Sequence, residues 1–105
     1  MTLAPHPALP PLPVPAMPRR QRELARNALG LPNESDRSYR NRYLTSGATA
    51  AEWQAMVAAG LAEDGGPEGS RRWFHLTRTG AEAALENGER LCPEDFPEPG
   101  AAPAP

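Results

Sequence analysis

Three groups of side chains in this sequence have types and spacing that could do chemistry, namely neutralising phosphate and reading base edges. Arg37, Arg40 and Arg42 alternate with Tyr39 and Tyr43, resembling the basic and aromatic mixture of nucleic-acid surfaces, where cations displace counterions and rings stack on bases. Arg71 and Arg72 follow a Gly-rich stretch and stand where a hairpin would present them. Gln54 carries an amide that can bond an adenine edge. Each group also has a structural reading. The Tyr rings suit a small core poor in large side chains, the arginines suit solvent or pairing with Glu34 and Asp36, and an exposed Gln is ordinarily solvated.

Catalytic chemistry lacks its parts. No nucleophile stands in motif context with a base, and no paired carboxylates lie in an apolar setting. Gly65-Gly66 lacks the Lys-Ser/Thr of a phosphate loop. His75 in a strand reads as a surface or half-buried residue rather than a general base, and Ser70 beside Arg71 as a turn residue. Cys92 is the single cysteine and His6 the only other histidine, so neither an internal disulfide nor a zinc set can be built. The expectation is a non-enzyme without cofactor, metal or small-molecule substrate.

All eleven basic residues of the 105 are Arg, and the net charge is −2. The distribution is uneven, with a basic stretch over 19–42 and an acidic one over 82–98. Twelve of the fourteen prolines fall in 1–18 or 93–105, which divides the chain into a Pro-rich tail over 1–18, a folded unit over 19–92 and an acidic Pro/Ala-rich tail over 93–105. The tails have too few apolar side chains to offset the entropy of ordering and are expected to be disordered. Pro10-Pro11-Leu12-Pro13 superficially resembles an SH3-type ligand but reads better as a spacer. Phe96 is the exception, an apolar residue placed to fold back on the last helix. No apolar run approaches the roughly 18 residues of a membrane span, and the first residues lack the pattern of a signal peptide. The expected location is the cytoplasm.

A helix should begin at Pro18 and end before Gly30, burying Leu24, Ala25, Ala28 and Leu29. Over 37–44, Tyr39 and Tyr43 at i,i+4 predict a short helix, although Tyr39, Asn41 and Tyr43 would also share one face of a strand. A second helix over 49–59 follows from the capping-box spacing of Thr49 and Glu52, with Trp53, Met56, Val57, Gly60 and Leu61 on one face. Leu61-Ala62-Glu63 then enters a strand, 64–70 turns the chain, and 72–77 returns with Phe74 and Leu76 inward and Trp73 and His75 outward. Thr79 with Glu82 predicts the cap of a last helix that runs toward Pro93.

The Gly60-Leu61 helix end, the Gly-rich turn, Trp73-Phe74-His75-Leu76 and the join Leu76-Thr77-Arg78-Thr79-Gly80 are similar to the closing half of MarR-like and PadR-like winged-helix regulators. The segments 26–33, 38–41 and 53–57 also resemble small uncharacterised proteins of bacteriophages and prophages. These resemblances imply an α+β, mostly helical fold, a small winged helix-turn-helix-like domain with one β-hairpin. They imply a phage-type protein that binds duplex DNA or regulates, with 49–59 as reading helix and 61–77 as wing. The alternative is an accessory or adaptor that uses the scaffold to bind a phage or host protein. The reading helix departs from the DNA pattern, for its outward positions carry no Arg or Lys. DNA affinity would then have to come from Arg37, Arg40, Arg42, Arg71 and Arg72, with Gln54 as the base reader.

Overall fold

The computed structural model describes residues 17–97. In chain order they form α1 (Arg19–Leu29), β1 (Tyr43–Thr45), α2 (Gly47–Ala58), β2 (Ala62–Glu68), β3 (Arg71–Leu76) and α3 (Arg78–Ala84). The tail over 1–18, with its proline motif, lies outside the described residues but for Met17 and Pro18, as does the chain beyond Pro97.

Helix α1 has the limits its sequence predicts. Pro18 precedes it, its carbonyl accepting from Arg22 N–H, and the four apolar stripe residues are all buried. Gly30 ends it at φ +82°, while the N–H groups of Gly30 and Leu31 return to Asn27 and Arg26. The left-handed φ favours glycine there, and its missing β-carbon leaves room for the Tyr39 ring to lie against it.

Residues 37–44 are not a helix. Ser38 N–H donates to the Arg90 carbonyl and the Ser38 hydroxyl accepts from Cys92 N–H. The Asn41 amide donates to the Leu76 carbonyl and accepts from Leu76 N–H, at 3.0 and 2.8 Å. These long-range bonds hold the segment extended and lead it into β1. Tyr43 packs on Trp53, with ring centroids 5.4 Å apart, whereas Tyr39 is 62% exposed. The two rings therefore do not share one helical face.

Helix α2 begins two residues earlier than its expected capping box. Glu52 accepts from the Gln21 amide at 2.8 Å and Thr49 from Arg20 at 3.5 Å, so α1 takes both side chains that would have formed the box. Ser46 is the residue before the helix. The two-bond ending of α1 recurs here, with Gly60 and Leu61 returning to Val57 and Met56.

Strands β2 and β3 form an antiparallel hairpin whose turn narrows to Gly69-Ser70, because β2 continues through most of the Gly-rich stretch. β1 joins the far side of β3, giving the order β1-β3-β2. Phe74 and Leu76 face the core as expected, and Trp73 and His75 are half-buried on the other face. Trp53 stacks on Phe74 with centroids 5.6 Å apart, and Leu29, Met56 and Leu61 complete the centre, with Val57 and Leu85 against its edge. The Trp53 indole N–H is buried without a partner among the described residues, and nothing in the structure explains it.

Helix α3 is capped by Thr77 rather than Thr79, its hydroxyl accepting from Gly80 N–H. It stops at Ala84, well before Pro93, where arginines from α1 take over its end. Arg26 donates to the Ala84 carbonyl at 2.9 Å and Arg22 to that of Leu85 at 3.4 Å, at the negative pole of the helix where cations are favoured. Phe96 folds back into the core at 6% exposure, and Arg78 holds the carbonyls of Phe96 and Pro97.

Candidate functional site

The six residues singled out by chemistry fall into two groups. Gln54, Arg71 and Arg72 line one groove of about 270 Å³ between α2 and the hairpin, together with Thr45, Ser46 and Ser70. Arg37, Arg40 and Arg42 do not line it. They ride on the extended segment that crosses the end of α1, where Arg42 N–H bonds the Ala28 carbonyl and the Arg40 guanidinium bonds that of Asn27 at 2.7 Å.

The groove is organised by a residue that the sequence did not bring forward. The register of β2 against β3 slips between Asp64 and Gly66, leaving an extra residue in β2, a bulge of the kind that re-aims a side chain. Asp64 accepts from Gly66 N–H at 2.8 Å, from Arg72 at 2.8 and 2.9 Å and from the Gln54 amide at 3.3 Å. The Arg72 guanidinium, then the Gly66 N–H, hold its carboxyl below the usual range. Two of the three side chains assigned to contact DNA here, Gln54 and Arg72, are thus bound to a carboxylate of their own chain. Glu63 and Glu68 add further acid to the hairpin, meeting His75 at 2.7 Å and the Trp73 indole at 2.8 Å. Arg71 is the exposed cation left on this face.

Helix α2 offers the groove a neutral surface. Of the positions Ala50, Glu52, Gln54, Ala55 and Ala58 expected to face outward, Gln54, Ala55 and Ala58 are exposed, with Ala51 beside them, whereas Ala50 is half-buried against the core and Glu52 against Gln21. Among the described residues no helix pair is joined by a short turn, since residues 30–46, including β1, separate α1 from α2.

The second group gains a neighbour. Arg37 is bridged to Arg90 in parallel fashion, so that two cations 53 positions apart in sequence stand side by side. The Arg40 guanidinium lies over the Tyr39 ring, 5.3 Å from its centroid, within the range of a cation–π contact. Only the Tyr-Arg alternation signalled this surface in the sequence; Arg90, inside an acidic stretch, carried no signal.

Among the described residues no helix is long and apolar enough to cross a membrane, and no cluster of His, Cys, Asp and Glu could hold a metal ion. No protein-family model, curated protein or solved structure matches the chain.

Proposed function

We propose that this protein is a small non-enzymatic binding module on a winged-helix-like scaffold, and that its partner is another protein rather than duplex DNA read by α2. The scaffold reading is supported by the sheet order β1-β3-β2 and by α2 leading directly into the hairpin. A helix-turn-helix needs two helices joined by a turn of about 3–4 residues. Here α2 stands alone at the groove. The observation that carries the choice of partner is the Asp64 carboxylate, which occupies both Gln54 and Arg72 where a phosphate or base edge would have to come. Affinity for DNA rests largely on neutralising phosphate, and a carboxylate already bonded to two of the groove's side chains opposes it. Resemblance to phage and prophage proteins makes a phage or host protein the partner class.

Duplex DNA is the second reading, favoured by the exposed side chains of Arg37, Arg42 and Arg71. A salt titration on a generic duplex separates the two. The protein-partner reading expects no salt-dependent binding at low ionic strength. Binding whose log–log salt slope flattens by about 2 units in Arg71→Ala/Arg72→Ala would replace it with the DNA reading.

A further inference from the structure

The arginines of this chain sort themselves by what they touch. Arg19, Arg22, Arg26, Arg72 and Arg78 are each within 4.0 Å of a carboxylate. Arg20, Arg37, Arg40, Arg42, Arg71 and Arg90 meet none among the described residues, and of these Arg37, Arg40 and Arg90 are gathered around one extended segment. The parallel backbone bridge sets Arg37 and Arg90 next to each other. Ser38 points inward, so Arg37 and Tyr39 on either side of it share the outward face of an extended segment. Among the described residues Tyr39 is the large hydrophobic residue left exposed, and the Arg40 guanidinium lies over its ring. Beside Arg90 opens a cleft of about 300 Å³ lined by Leu85, Leu91, Pro93 and Phe96, large enough for one bulky side chain. Glu82 also lines it, with its charge held by Arg78 at 2.9 Å.

We propose that the face made by Arg37, Tyr39, Arg40 and Arg90, with the cleft beside Arg90, docks an acidic polypeptide segment carrying one bulky apolar side chain. This rests on the protein-partner reading above and names its surface. Carboxylates of the segment meet the Arg37 and Arg90 forks, which bind planar anions through two parallel hydrogen bonds. The apolar side chain enters the cleft against Leu85 and Leu91, and Tyr39 supplies the aromatic contact that, with Arg, dominates interface hot spots. A nucleic-acid strand fits less well. Asp36 and Glu82 interrupt the positive surface, which discrete carboxylates tolerate and a continuous phosphate chain does not.

The test uses the full-length protein and fluorescence anisotropy at low ionic strength. The probes are a labelled Glu/Asp-rich peptide with one central Phe, the same peptide with Ala in place of Phe, and an oligothymidylate. Wild type is expected to prefer the Phe peptide. Arg37→Ala/Arg90→Ala should lose at least about tenfold in affinity, or about 1.4 kcal/mol, while keeping its thermal midpoint, because neither side chain holds another part of the fold. Arg71→Ala should bind like wild type. Equal peptide affinity in the double variant and wild type would overturn this surface and leave the protein-partner reading standing. No binding of either peptide would overturn the acidic-segment proposal. Preference for the oligothymidylate, lost in Arg71→Ala/Arg72→Ala, would overturn both.

Discussion

Arg26 is a charge placed where an apolar residue would ordinarily sit. It lies on the buried side of α1 at 9% exposure, and it is held by Glu89 at 2.6 and 2.8 Å as well as by the Ala84 carbonyl. The hydrogen bonds to Arg26 pull the Glu89 carboxyl below its ordinary range, against the opposing effect of burial. Folding therefore releases a proton from Glu89 at mildly acid pH, and the stabilisation is present above the unfolded carboxylate value and lost as pH falls through the folded one. Glu89→Gln should cost about 1.5–3 kcal/mol at neutral pH by urea unfolding. Its stability should converge with that of wild type as the medium is acidified below about pH 4; a constant gap across the whole range would show that the charge is not what matters. Arg26 falls outside the apolar stripe that the sequence of α1 shows. The stripe Leu24, Ala25, Ala28 and Leu29 was legible, but a partner 63 positions away leaves no local trace.

At the scale of elements, helix ends written in local chemistry were legible and those decided by distant contacts were not. Pro18 and Gly30 bound α1 through their own backbone preferences. Thr79 has the right spacing to Glu82 for a cap, yet Thr77 takes the role because its N–H and hydroxyl are already fixed to the carbonyls of Leu61 and Gly60, at 3.1 and 2.9 Å. That junction sets α3 so close to the end of α2 that a β-carbon at Gly80 would collide with the Leu61 carbonyl. Replacing Gly by Ala inside a helix normally gains about 1 kcal/mol. Gly80→Ala should reverse the sign and cost about 1–3 kcal/mol, since the obstacle is backbone and cannot rotate away. Chemical denaturation reads the sign directly, and a stabilised variant would mean that α3 is free to shift off α2.

For the molecule as a whole, the C-terminal segment closes the structure. Phe96 is buried, Arg78 grips the two carbonyls that follow Asp95, and Cys92 N–H is tied to Ser38. A chain ending after Cys92 should lose about 2 kcal/mol, the worth of burying one large apolar side chain. For a unit of this size that lowers the thermal midpoint by roughly 8–16 °C. An unchanged midpoint would show that Phe96 covers the core without holding it. Phe96 was legible as the one bulky apolar residue in an acidic proline-rich stretch. The site was legible only as a list of cations. The sequence contained Arg37 and Arg90, and Asp64 and Arg72, but which arginines are balanced by acid and which are left facing outward depends on pairings that exist only once the chain is folded.

Asn41 imitates a main chain. Its side-chain amide offers β3 one donor and one acceptor, so Leu76 finds the partner that the main chain of a longer β1 would have provided, and the backbone at that point is released from the sheet. The freedom gained is directional: the chain before Asn41 can swing away toward the end of α1 and carry Arg40, Tyr39 and Arg37 outward without leaving β3 unsatisfied. Asp in its place would offer acceptors alone and Leu neither. A single amide thus decides where pairing stops and presentation starts.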